Sequence, residues 1–261
     1  QTAPVASGSV VTLPVKKAKL WSPESPFLYD VEFLLKDADG NTLDKVTSYF
    51  GMRKIHTEGN RIYLNNEPYY QRLVLDQGFY PDGIWTAPSD EALKHDIEMS
   101  KAAGFNGARL HQKVFEERFH YWADKLGYIV WGEMASWDKD FNSVAAARNF
   151  LSEWGNIVVR DRNHPALIVW TPFNEEFGVP SNEAGRFLTD VYNETRRLDP
   201  TRPVNTVSGG IYVISDFCTA HCYEQDGARL HSMLFDGEKF YQPQGPNGGF
   251  DRAIRKLYYD G

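Results

Sequence analysis

The stretch "WTPFNEEFG", residues 170–178, begins on the last residue of the apolar run "ALIVW" and places Asn174, Glu175 and Glu176 where that strand surfaces. An amide and two carboxyls in such a place are groups for hydrogen bonding and proton transfer. A carboxyl lifted out of a low-dielectric strand can stay protonated near neutral pH and act as an acid. Other polar residues occupy comparable positions: Asp76 after "LVL", Arg109 and His111 in "ARLH", Glu133 after "IVWG", and His221 with Tyr223 in "HCY". All stand at the C-terminal ends of apolar segments, where the strand-to-helix loops of a barrel build active sites.

The elements that must position them alternate. The segments "YYQRLVL", "FNGARLH", "YIVWGEM", "ALIVWTPFN", "RPVNTV" and "FCTAHCY" are mostly separated by stretches of helical period, which points to a parallel sheet with helices outside it. Ser89 is placed to cap a helix over "DEALKHDIEMSKAAG", with Asp90 and Glu91 in its first turn and Gly104 at its end. Phe115, Phe119, Trp122 and Leu126 form one apolar stripe that stops at Gly127. Phe187, Leu188, Val191, Tyr192 and Leu198 form another before Pro200. Only about nine residues separate "RPVNTV" from "FCTAHCY", too few for a helical crossover, so a loop or single turn is expected there. The six strands fit an open doubly wound sheet or most of a (β/α)8 barrel. The polar rim, and the lack of a glycine-rich phosphate fingerprint after the first strand, favour the barrel.

Before about residue 60 the chain reads as β structure in "VVTLPV", "LYDVEFLLKD" and "TLDKVTSYFGMRKI", with "KDADGNT" as a turn. About three strands are visible there, against the roughly seven of an immunoglobulin-like sandwich.

Composition excludes several classes. With 261 residues, 42% of them apolar and 24% charged, the chain can bury a sizeable core. A net charge of -7 with scattered Lys and Arg gives no basic field for nucleic acid. No apolar run nears the roughly 20 residues of a membrane span, and no signal pattern opens the sequence, so no membrane partner is expected and the compartment stays unassigned. Cys218 and Cys222, read as lying on one strand, would be too far apart for a disulfide, and His221 between them would face the other way. Two free thiols, no metal and no cofactor are the expectation. The chain has no Gly-x-Ser-x-Gly elbow, no "HExxH" and no P-loop.

"LWSPESPFLYDVEF", "YFGMRKI", "YLNNEPYY", "DIEMSKAAGFNGARLH", "WADKLGYIVWGE", "RDRNHPALIVWTPFNEE" and "LDPTRPVN" together resemble, in order and over nearly the whole chain, glycoside hydrolase family 2, the β-galactosidase, β-glucuronidase and β-mannosidase group. "RDRNHP" followed by a strand ending in "NE" is the most specific of these. The resemblance implies an α/β chain in which residues 1–59 are the latter part of an immunoglobulin-like β-sandwich and residues 60–261 carry strands one to six of a TIM-type barrel. It implies sequence upstream and a barrel cut short.

It also implies hydrolysis of terminal β-glycosides by a retaining double displacement, with two carboxyls about 5 to 5.5 Å apart, one a proton donor and the other a nucleophile. Glu175 matches the acid/base and should have a raised pKa, while Asn174 matches the residue that binds the sugar 2-hydroxyl. Arg109 matches an arginine near the nucleophile; its structural alternative is a buried ion pair. Tyr223 matches a tyrosine that hydrogen-bonds the nucleophile, or else is a core tyrosine. His111 stands in a variant context, "RLHQKV", displaced by one residue from the family pattern. Asp76 departs from the usual "N-x-H" and is either a ligand for a sugar hydroxyl or a loop cap. Trp137 and Trp85 lie in loops where they could stack on a sugar, whereas Trp122 and Trp154 belong to the core. Glu176 divides between a site role and a surface or ion-pair role. Glu133 sits beside Glu175 rather than across the pocket, which makes it a substrate-site residue rather than a nucleophile.

The nucleophile is expected beyond Gly261, and the chain alone is expected to be inactive. The competing class is a non-catalytic barrel that binds carbohydrate or serves as an interaction surface. Open barrel edges predict self-association. Which sugar is bound is not written in these residues.

Overall fold

The computed structural model describes residues 3–6, 8–137, 139–176, 181–210 and 212–235. The chain opens irregularly, and "VVTLPV" forms no strand. Strands β1 (Tyr29–Lys36) and β2 (Thr42–Phe50) make an antiparallel hairpin. Its turn is held by the Asp37 carboxylate, which accepts from the backbone N–H groups of Asp39 and Asn41 at 3.0 and 2.8 Å. Strands β3 (Ile55–Glu58), β4 (Arg61–Leu64) and β5 (Glu67–Pro68) form a second antiparallel sheet. The boundary expected between residues 59 and 60 therefore falls in the tight turn between β3 and β4, where Gly59 has φ +57°.

From β6 (Leu73–Asp76) onward strands and helices alternate. Helix α1 (Asp90–Ala102) leads to β7 (Gly107–Leu110), α2 (Glu117–Leu126) to β8 (Ile129–Glu133), and α3 (Val144–Asp161) to β9 (Leu167–Thr171) and β10 (Phe173–Asn174). Helix α4 (Asn182–Leu198), β11 (Val207–Ser208) and α5 (Gly227–Phe235) follow. The helix signals act where the sequence puts them. Ser89 Oγ accepts from the Ala92 N–H, and Gly127 closes α2 in the left-handed conformation.

Strands β6, β7, β8 and β9 form one parallel sheet in sequential order. The "RPVNTV" segment continues it, with Asn205 N–H donating to Trp170 O at 2.9 Å, Phe173 N–H to Thr206 O at 3.1 Å and Glu175 N–H to Ser208 O at 2.9 Å. The expected sixth strand is not formed. Residues 217–223 run as irregular chain, tied back by Asn205 Nδ2, which donates to Phe217 O at 3.0 Å. Cys218 and Cys222 lie on this segment as free thiols.

Paired residues of neighbouring strands share a face, which sorts the side chains into two layers. Ala108 and Leu110 are buried on the helix side, as is Trp170, which meets Trp154 of α3 edge-on at 5.5 Å. Leu75, Arg109 and Trp131 are paired along the other face. Helices on one side and a polar rim on the other describe a barrel wall rather than a doubly wound sheet.

One irregularity decides the site. Trp170 and Phe173 both face α3, Phe173 stacking on Phe150 at 4.6 Å, although they are three residues apart. Strict alternation would put Phe173 with Thr171 on the inner face. Pro172, which cannot donate to the ladder, stands between β9 and β10 where the alternation reverses, so that Asn174 points inward.

Candidate active site

The inner rim gathers Arg109, His111, Glu133, Asn174, Glu175, His221 and Tyr223. Arg109, at the end of β7, grips Glu133 of β8 with Nε at 2.7 Å from Oε2 and Nη2 at 3.1 Å from Oε1. Its Nη2 also donates to Asn174 Oδ1, and lies 3.3 Å from His111 Nδ1. Gln112, left-handed at φ +56°, turns its backbone N–H onto Glu133 Oε1 at 3.0 Å. Glu133 is thus a fully buried carboxylate with both oxygens engaged.

Asn174 is almost fully buried, and its backbone N–H donates to Ser136 Oγ at 3.2 Å. The Arg109 contact fixes the amide orientation, since only oxygen accepts from a guanidinium. That leaves Asn174 Nδ2 as a buried donor without a protein partner among the described residues. A buried donor left open costs about 1 to 3 kcal/mol, which a bound hydroxyl would recover.

Glu175 follows with φ +52°. The left-handed conformation costs a non-glycine residue roughly 1 to 2 kcal/mol, and it lets two consecutive side chains reach one cluster. Its Oε1 accepts from Tyr223 OH and lies against His221 Nδ1, each at 2.5 Å. His221 Nε2 is 3.0 Å from Ser208 Oγ and 3.5 Å from Arg109 Nη1.

The electrostatics differ from expectation. Burial pushes Glu175 up, but the hydrogen bonds from Tyr223 and His221 outweigh it and hold the carboxyl below its ordinary value. The neighbouring Glu176 is the raised one: burial lifts it to about 7, and Lys139 offsets only part of that.

Asp76 is not brought to this cluster. It pairs with Leu110 in the ladder and so shares the helix-facing side, opposite to Arg109. Its Oδ1 accepts from the Gly78 N–H at 2.8 Å, the loop-cap role, and burial raises its pKa. It lines a cavity of about 330 Å³ between β6 and α1, together with Asp96, Ile97 and Tyr128. Trp137 is exposed and makes no hydrogen bond or ring contact with the rim residues. Trp85 is exposed too, its carbonyl accepting from Lys113 Nζ at 2.7 Å. Trp154 is core, as expected. Among the described residues no group of three or more His, Cys, Asp or Glu gathers as a metal site, and no helix is long and apolar enough to cross a membrane.

The model for glycosyl hydrolases family 2 matches residues 1–53, and the model for that family's TIM barrel domain matches residues 86–243, more than half of the chain. The chain belongs to glycosyl hydrolases family 2. It is similar to a β-galactosidase of Photobacterium profundum, 29% identical over 206 residues, covering 76% of this chain and 19% of the relative. A β-glucuronidase of Paenibacillus borealis is 28% identical over 219 residues, covering 78% of this chain and 36% of its own length. The structure of a β-D-glucuronidase from Dictyoglomus thermophilum superposes with a TM-score of 0.67 at 26% identity, over 76% of this chain and 36% of that one. This family 2 chain therefore spans about a fifth of the length of the β-galactosidases it matches.

Arg109 pairs with Glu133 in a buried ion pair, and Tyr223 donates its hydroxyl to Glu175. Residues the sequence reading missed are Gln112, Ser136 and Ser208, which brace the rim through the Gln112 backbone N–H and side-chain amide and through the two serine hydroxyls. His221 has a rim position in the sequence but no assigned role; its two ring nitrogens join Glu175 to Ser208.

Proposed function

We propose that this chain supplies the proton-transfer half of a glycosidase that hydrolyses terminal β-glycosidic bonds with retention. Glu175 is the general acid/base: it gives a proton to the departing glycosidic oxygen, then takes one from the water that opens the glycosyl ester. Asn174 donates Nδ2 to the sugar 2-hydroxyl, and Arg109 and His111 set the floor of the sugar site. The observation that carries the reading is the juxtaposition of Glu175 with the unused buried donor of Asn174. The N-terminal hairpin β1–β2 is proposed as part of an immunoglobulin-like module, fastened to the barrel through Trp21, Tyr49 and Arg53.

The attacking carboxylate is a further requirement. Glu133 is enclosed by Arg109 and Gln112, and Glu224 is occupied by the Asp226 N–H and Arg229. Neither is free to attack an anomeric carbon, so residues 1–261 alone are proposed to be inactive. The same observation favours, as a second reading for the isolated chain, a carbohydrate-binding barrel.

The test uses aryl β-glycosides with the polypeptide in which residues 1–261 naturally occur. Glu175→Gln should slow substrates with poor leaving groups far more than dinitrophenyl glycosides, whose leaving group needs no protonation. Equal effects on both would remove Glu175 from the acid role, and turnover by residues 1–261 alone would refute the missing nucleophile.

A further inference from the structure

We infer that His221 is a positioning residue that, with Tyr223, locks Oε1 of Glu175, leaving Oε2 as the oxygen that gives up the proton and takes it back. The inference rests on the acid/base reading of Glu175, and deepens it.

Three features place a ring proton of His221 on Nδ1. Arg109 is permanently cationic and presents Nη1 to Nε2 at 3.5 Å, which disfavours a proton there. Ser208 Oγ, 3.0 Å from Nε2, can donate to that nitrogen. Nδ1 then must carry the hydrogen that meets Glu175 Oε1 at 2.5 Å. The ring has little freedom to turn away. A Cβ at Gly209, whose φ is +65°, would lie 2.5 Å from three of its atoms, so the backbone approaches the imidazole where only glycine fits.

Both donors meet the same oxygen, and among the described residues Oε2 accepts no hydrogen bond. The ionised carboxyl is thereby favoured, in agreement with the lowered pKa of Glu175. The charged and titratable groups facing His221 are Glu175 after β10, Arg109 of β7 with its partner Glu133 of β8, His111 beyond β7, and Tyr223 on its own segment. In a retaining cycle such a clamp favours the base form needed to activate water, and it sets how readily the acid form is made.

The test is NMR titration of residues 1–261, which needs no turnover. The 13C carboxyl signal of Glu175 should titrate at a higher pH in His221→Ala, with proton affinity raised roughly tenfold, while His221→Gln, which retains an N–H donor, should restore much of the wild-type value. An unchanged Glu175 midpoint in His221→Ala overturns the inference. Should that variant not fold, the 15N spectrum of wild-type His221 decides: the hydrogen is expected on Nδ1, and finding it on Nε2 overturns the assignment. In the natural polypeptide, His221→Ala should move the alkaline limb of kcat/KM upward, since the acid holds its proton more tightly. A uniform loss without such a shift marks a merely structural residue and refutes the inference. Failure of Glu175→Gln to affect hydrolysis would instead remove the catalytic reading, whatever the titration shows.

Discussion

Arg109 and Glu133 face each other across strands β7 and β8 as a two-pronged pair, with the carboxylate fully enclosed. Removing one member of such a pair strands a buried charge, which costs about 3 to 5 kcal/mol. Arg109→Ala should therefore lower unfolding stability by that order in urea titration, and Arg109→Lys by less. The double variant Arg109→Leu with Glu133→Leu should recover much of the loss. A single-variant cost near zero would show the pair to be solvated.

His120 makes stability depend on pH. It is buried in α2, stacked on the ring of His164 at 5.2 Å, and burial lowers its pKa from 6.5 to about 4. The unfolded chain then binds one more proton than the folded chain between those values, so stability rises with pH across the window. The contribution is complete above pH 6.5 and about 3 kcal/mol smaller near pH 4. Urea midpoints at pH 7.5 and 4.5 should differ less in His120→Gln than in the wild type. Equal differences would show that His120 is charged in the fold.

Gly127 should tolerate no side chain. It is left-handed at φ +66°, and an added Cβ would stand 2.2 Å from the carbonyl oxygen of Pro23. The conformation alone penalises alanine by about 1 to 2 kcal/mol, and the backbone clash adds to that. Gly127→Ala should also loosen the N-terminal segment whose Trp21 donates Nε1–H to Asp124 O at 2.8 Å, visible as a change in tryptophan emission. Wild-type stability in this variant would mean that Pro23 does not rest against α2.

Residues 1–261 should self-associate. Phe33, Leu35 and Val46 lie exposed on one face of the β1–β2 hairpin, Phe33 opposite Val46 in the ladder. Sedimentation should show a mass that grows with concentration, reduced by Phe33→Lys with Val46→Thr. A monomer at all concentrations would exclude this face as a contact.

The parallel core was legible because its strands are short apolar runs and its helices carry both capping residues and stripes, as at Ser89 and at Phe119 with Gly127. The rim was legible where a polar residue ends a strand, as at Arg109, Glu133 and Asn174. Asp76 misled because a strand end alone does not say which face the side chain takes; pairing with Leu110 decided that. The "FCTAHCY" segment misled because β-prone residues can also run as irregular chain without a ladder partner, although His221 still reaches the rim. The lowered pKa of Glu175 was hidden because its two donors lie 46 and 48 residues away in sequence.

Pro172 has a wider implication for how this chain can change. Drawing that position into a strictly alternating strand would turn Phe173 toward the inner rim and Asn174 against the aromatic rings of α3. Deletion of Pro172 would set Phe173 directly after Thr171 on the opposite face, as now, and would cost register against the segment from Val204 to Val207 rather than facing.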